Sequence, residues 1–442
     1  MVARRRSSIL IPHAGSISVP AMASSTYRVV LRTAAVRSEA IAGLFAQVTQ
    51  GAAGVGLILV VRGHTGSLAL AGAVVGALAI AAGIARPLQG RLIDRRGTAA
   101  LMSICGVVHA AALVGIVIVA DVHGPAALMI ALGVVGGGAL PPVSTSMRVV
   151  WGAAFPAEER TAAYSLVYLT QELSILVGPL VLSGLLAVSD ASLAMIAVAA
   201  LAGAGTLSFA AMVGERGREL MVGDRGGELG PRNAGGLGTV FREPGMRALV
   251  AVAFLTGGLV GALEVGAPTI AAAHHAPTAS GLLIAAVAVG GIIGALIYGG
   301  RRWSSAPSRR LLLLFGALTI TMTAMVAVGN LVLLGTLMLL CGLALNPALT
   351  TTSVLADDHV SRAGAAEAFG WLSSGISGGT GAASAITGAL TSTSHPQTAF
   401  VIAAIIAAMG TALSAAAQRT LAAGCGKSAE RDLTRALYAS EQ

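Results

Sequence analysis

Nearly uncharged runs of about 18 residues or more recur along the whole chain. Each is closed by a short cluster of Arg, Asp, Gly or Pro. Twelve such runs are present, at roughly 39–61, 67–88, 99–120, 125–150, 162–187, 191–213, 248–272, 279–300, 310–330, 332–355, 364–390 and 397–417. Their length suits a hydrocarbon layer ~30 Å thick with some tilt. Open strands would leave backbone groups unpaired in lipid. A membrane barrel needs strict alternation of polarity, which these runs lack. The pattern therefore predicts an all-α membrane protein with twelve transmembrane helices.

One long interruption breaks the series. Residues 214–247 are charged, rich in glycine and poor in apolar side chains, as in a flexible linker. They divide the runs six and six, which predicts bundles at 38–213 and 248–417. Residues 1–37 open with three arginines and contain Pro12 and Pro20. They lack the clean apolar stretch of a secretory signal and predict a polar tail, with translation from Met22 as an alternative start. Residues 418–442 predict a second polar tail.

Composition removes a soluble core from consideration. The 442 residues are 55% hydrophobic and 11% charged, against about 25% charged in ordinary soluble domains. The net charge of +9 is a matter of topology. With a cytoplasmic N-terminus, every one of the 28 Lys and Arg except Arg62 falls on the inner segments or inner helix ends. That asymmetry predicts both termini in the cytoplasm of a multi-pass protein of the cell membrane. It points to lipid headgroups as the partner of the basic residues, not to nucleic acid. Cys105, Cys341 and Cys425 form no paired motif, and no metal site, phosphate loop or nucleophile–His–acid set is present. An enzyme and a bound cofactor are not expected. Adjacent His274 and His275 cannot share a helix face, so they are not read as a metal site.

The halves echo each other. Gly72 and Gly90 recur 209 residues later as Gly281 and Gly299. GGALPPVSTS (137–146) parallels GLALNPALTT (342–351), and LVYLTQELSILVGP (166–179) parallels FGWLSSGISGGTGA (369–382). The order and near-constant spacing predict pseudo-symmetric six-helix bundles, a known transporter plan.

The polar step GRLIDRRG (90–97) resembles the signature loop between the second and third helices of the major facilitator superfamily, G-x-L-x-D-R-x-G-[RK]. Gly90, Leu92, Asp94, Arg95 and Gly97 match, and Thr98 departs. The two glycines suggest a tight reversal. The resemblance implies that Asp94 and Arg95 belong to a gating loop that latches the two halves. The second-half counterpart, GGRRWSSAPSRR (299–310), has no acid, so the latch is asymmetric. QELSILVGPLVLSG (171–184) partly resembles the antiporter motif of the same superfamily. Gly178 and Pro179 match, which implies a helix bend. The fourth-span exporter motif is incomplete: LGVVGGG (132–138) has Leu132 and Val135 where the motif has Arg and Gln.

Polar groups inside the runs need a reason, since an ionisable side chain at mid-membrane costs about 2.5–3.5 kcal/mol on insertion scales. Glu172 lies on one helix face with Tyr164, Tyr168 and Gln171, and a carboxyl there can carry a proton. Glu264, in the outer half of the seventh run, is a second proton-coupling candidate. Gln47, Gln50, Tyr168, Gln171, Asn346 and Trp371 are the candidate lining of a substrate cavity. Arg86 and Arg148, near inner helix ends, are expected to snorkel, and Glu367 to pair with an arginine. Taken together these features point to a monomeric secondary transporter that exports a small organic solute in exchange for protons. Uptake of a nutrient on the same fold, or a non-transporting sensor, are the alternatives.

Overall fold

The computed structural model describes residues 27, 30–223, 238–276, 279–360, 364–391 and 395–423. Most of the expected first tail and final tail, and the middle of the linker, lie outside the described residues. The described chain folds as twelve spans, two of them interrupted. In order they are Ala34–Ala46 with Val48–Thr65, Leu68–Arg96, Thr98–Asp121, Ala126–Gly138 with Val143–Ala154, Ala157–Leu186, Ala191–Gly223, Pro244–Ala273, Ala279–Gly300, Pro307–Val326, Leu331–His359, Ala365–Thr391 and Thr398–Ala416. The spans alternate in direction. Gly97 and both ends of the described chain therefore share one face, called here the terminus side. The opposite face is the far side.

Eleven spans are long and apolar enough to cross a membrane among the described residues. The exception, the eleventh, is equally long, and what lowers its hydropathy is its packing surface. Thr380 Oγ1 donates to Gly257 O (3.0 Å) and Ser384 Oγ to Gly261 O (3.2 Å) on the seventh span. Gly379 lies so close that an added Cβ would stand 1.8 Å from Phe254 O. Lipid provides no hydrophobic push between helices, so close backbone approach and such hydrogen bonds hold the pair. Gly290 and Gly294 of the eighth span meet Leu339 O and Leu343 O of the tenth in the same way. Gly379→Val is expected to cost about 2–4 kcal/mol, because the obstacle is backbone within one half and cannot step aside. A fall in the unfolding temperature of the purified protein measures it.

Two repeat positions fold differently. The fourth span breaks between Gly138 and Val143. Pro141 and Pro142 remove two successive amide donors, and the residue before each proline disfavours helix. At the matching place the tenth span has a single proline, Pro347, and stays one helix. The Gly178–Pro179 pair also lies within an unbroken helix, Ala157–Leu186. There Gly178 crosses the first span, where its Cβ would meet Val48 O at 2.6 Å.

Three boundary expectations change. The sixth span continues to Gly223, into the expected linker. Tyr27 and Val30 belong to the packed structure and not to a loose tail, for Val30 is wholly buried and Tyr27 donates to Ala295 O of the second half at 2.7 Å. The third is the charged step at 90–97. GRLIDRR is not a loop but the last turns of the second span, and the reversal is Gly97 alone, at φ 85°. Of the two glycines in this step, only Gly97 has the positive φ that favours glycine.

Candidate functional site

The hydrogen bonds and ion pairs that join the two halves, among the described residues, fall in three tiers on the terminus side of the mid-bundle. The outermost tier contains Asp94. Its carboxylate accepts from the amides of Ala366 (3.1 Å) and Glu367 (2.9 Å). These are the first free amides of the eleventh span, so the anion caps a helix N-terminus of the opposite half. Gly90, one turn earlier, brings the second span against the same point, since its Cβ would stand 2.2 Å from Ala366 O. The pseudo-symmetric contact has no carboxylate: Gly299 of the eighth span packs on Ser165 of the fifth. Instead Arg160 pairs with Asp357 at 2.9 Å, the side chains 12% and 18% exposed. Arg95 has a partner, while Gly97 only turns the chain.

Glu367 does not pair with an arginine among the described residues. It is buried and accepts from the amide of Gly238 (2.6 Å), just before the seventh span. Trp371 Nε1 also reaches it at 3.4 Å, and the Trp371 ring packs edge-on against Phe241 at 4.8 Å. Trp371 thus belongs to this outer tier. Pseudo-symmetry with Tyr168 had suggested a place in the cavity, but one helical turn from Glu367 keeps it near the helix start.

The middle tier is aromatic and basic. Tyr168 OH bonds Ser353 Oγ across the halves at 3.0 Å, and Ser165 Oγ reaches Thr350 Oγ1 at 3.4 Å. The Arg148 guanidinium lies over the Tyr168 ring, 4.6 Å from its centre, and 5.8 Å from that of Phe369. Arg148 does not snorkel: it is 4% exposed. Its place in the broken fourth span turns it into the bundle.

The inner tier sits at mid-bundle. Glu172 stands at the middle of the 30-residue fifth span and Asn346 at the middle of the 29-residue tenth. Asn346 Nδ2 donates to Glu172 Oε1 at 3.3 Å, so one bond joins the centres of the two halves. Beside them Ser144 Oγ lies 2.8 Å from Gln47 Oε1 and 3.2 Å from Gln171 Oε1, and its single proton serves one at a time. Gln50 Nε2 approaches Gln47 Oε1 at 3.4 Å. Gln47 is also the single residue at which the first span is interrupted. The sequence candidates thus form two groups at this depth, Gln47, Gln50 and Gln171 around Ser144 and Glu172 with Asn346, joined through the consecutive Gln171 and Glu172, with Tyr168 one turn below. Ser144 was missed because it sits in a stretch read only as a repeat. Glu264 stands apart, exposed in the far-side third of the seventh span, with no hydrogen bond or ion pair among the described residues.

Far-side of Glu172 no hydrogen bond joins the halves among the described residues. The arrangement is closed on the terminus side, and its deepest shared polar contact is a carboxyl and an amide.

A sequence model described as the Major Facilitator Superfamily matches residues 40–367. Among solved structures the chain is similar to a bacterial homologue of the iron transporter ferroportin in an outward-facing state. The two are 14% identical over 86% of this chain and 98% of that one, with a TM-score of 0.70. It is also similar to the E. coli fucose:proton symporter FucP, at 14% identity, 85% and 96% coverage and a TM-score of 0.62. The human organic anion transporter MFSD10 gives 16%, 88% and 99%, and 0.63. No curated protein matches.

Proposed function

The chain belongs to the Major Facilitator Superfamily, a multi-pass membrane transporter and not an enzyme, and on that premise we propose that it exports a small organic solute in exchange for protons by alternating access. The observation that carries the coupling is the Glu172–Asn346 bond. A carboxyl at mid-bundle that touches both halves can sense, through its own protonation, whether they are together. Protonation removes the charge and weakens the bond to the Asn346 amide. Cargo and proton then compete for the same inner tier.

Export is supported by the partial antiporter motif at Gly178 and Pro179. The Arg and basic-loop asymmetry supports a cytoplasmic terminus side in the cell membrane, facing anionic headgroups. On that orientation the described conformation is outward-facing, the state in which the ferroportin homologue was solved. Both six-span halves lie in one chain, which supports a monomer as the working unit.

Initial accumulation of a mixed panel of labelled compounds in expressing cells tests the proposal. Lower accumulation of a compound, restored by a protonophore, is the expected result. Higher accumulation would establish uptake instead.

A further inference from the structure

Arg148 forms no ion pair among the described residues. Its Nε has no hydrogen-bond partner, and its guanidinium binds no carboxylate or carbonyl among the described residues, although the side chain is 4% exposed. Arginine cannot shed its proton in a protein, so the charge stays, held by the faces of Tyr168 and Phe369. Arg86 converges on the same place. Gly370 packs on its carbonyl, and its guanidinium donates to Pro141 O at 3.3 Å, beside the start of the helix that carries Arg148. Phe369 of the second half thus covers the Arg148 guanidinium, and Gly370 packs on the backbone of Arg86. The neighbouring carboxylates are engaged elsewhere: Asp94 with two amides, Asp357 with Arg160, Glu367 with Gly238 and the buried Glu39 with Trp151 Nε1, while Asp358 has an interaction of its own. Arg148 is also one helical turn, about 6 Å, from Ser144 in the inner tier.

We propose that Arg148, with Arg86 beside it, binds the oxyanion of an anionic organic solute when the terminus side opens. This rests on the alternating-access reading above and names its substrate class. Opening carries Phe369 and Ser353 away with the second half. The planar guanidinium is then free to make a bidentate pair with a carboxylate, sulfonate or phosphate. Tyr168 stays with Arg148 in the first half, and its hydroxyl, released from Ser353, gains a place as a second donor to the anion. Closure returns Phe369 to the guanidinium and displaces the anion towards Ser144, Gln47 and Gln171. The aromatic ring and the cargo are alternatives at one site, so closure and tight anion binding exclude each other.

The test uses the full-length wild-type protein in lipid nanodiscs. Phenylglyoxal modification of Arg148 is followed by mass spectrometry with benzoate, benzamide or inorganic phosphate present, and Arg301 serves as the exposed control. Benzoate is expected to slow modification of Arg148 several-fold, while its uncharged isostere benzamide has no effect and Arg301 is unaffected throughout. Benzoate should also raise the unfolding temperature of the wild type. Arg148→Gln should weaken its binding by about tenfold or more, and Arg148→Lys by less, since the charge remains without the fork. An Arg148 that reacts equally with and without benzoate would overturn the site while leaving alternating access standing. Protection by phosphate alone would overturn the organic assignment. An Arg148 that never reacts would mean that the terminus side does not open, which overturns the transport reading and the site with it. The labelling arm needs no variant, so it stands even where Arg148→Gln fails to fold.

Discussion

Glu172→Gln is expected to abolish gradient-driven transport while leaving solute exchange intact. Glutamine has the shape of the protonated acid and still accepts from Asn346 Nδ2, which lies 3.3 Å from the present carboxylate oxygen. The bond between the two helix centres therefore survives, and the fold with it. What disappears is the choice between two charge states. Net export should fall to the level seen in wild type with the proton gradient collapsed, whereas counterflow of labelled for unlabelled solute, which needs no net proton movement, should continue. Measured together in one vesicle preparation, the two rates separate coupling from binding. Adding Glu264→Gln should change little further, because Glu264 touches neither the inner tier nor the opposite half. Driven transport that survives the double replacement would remove the carboxyl from coupling.

A second large effect is expected at the terminus-side closure. Gly90→Leu would place side-chain atoms where Ala366 C=O now lies, since even a Cβ would be 2.2 Å away. Unlike Phe254 against Gly379, this obstacle belongs to the other half, which can swing away. The protein should therefore keep its unfolding temperature to within a few degrees but lose the closed state. Asp94→Asn acts at the same point more mildly. It removes a charge from the helix N-terminus capped by two amide bonds, a loss of about 1–2 kcal/mol, or roughly a tenfold shift towards opening. Ser374, which donates to Gly83 O at 2.7 Å in the closed state, is the reporter. A cysteine placed there should react with an impermeant maleimide added on the terminus side slowly in wild type, faster with Asp94→Asn and fastest with Gly90→Leu. Equal rates in the three backgrounds would deny Asp94 and Gly90 any part in gating.

Much of this architecture was written in local pattern. Eleven of the twelve apolar runs are spans by length and hydropathy alone. The eleventh run was recognisable by position although its Gly, Ser and Thr face, buried against the seventh span, dilutes its hydropathy. Gln47, Gln171, Glu172 and Asn346 were legible singly, because a polar group at mid-membrane is rare enough to draw attention. Their meeting was not. Whether Glu172 faces Asn346 depends on how two halves 174 residues apart dock, and no period in the sequence encodes that. The same limit hid the Arg160–Asp357 pair and misplaced Trp371. GRLIDRRG shows a different failure. Charge density suggested a loop, but the seven residues from Gly90 to Arg96 are good enough helix formers to extend the span, and only Gly97 turns. Arg148 was expected at the surface because long basic side chains near helix ends usually reach it. The break at Pro141 and Pro142 re-aims the following helix and turns that side chain inwards.

Alternating access requires one face of the bundle to open as the other closes. Spin labels at Arg62 and His275, on the far-side ends of the first and seventh spans, and at Arg96 and Ser304, at terminus-side ends in opposite halves, allow both distances to be read by pulsed electron resonance in nanodiscs. Two populations in opposite phase are expected: mostly a long far-side and short terminus-side distance in wild type, reversed in Gly90→Leu. A far-side distance that stays unchanged while the terminus side opens would contradict alternating access and leave only a hinged pore.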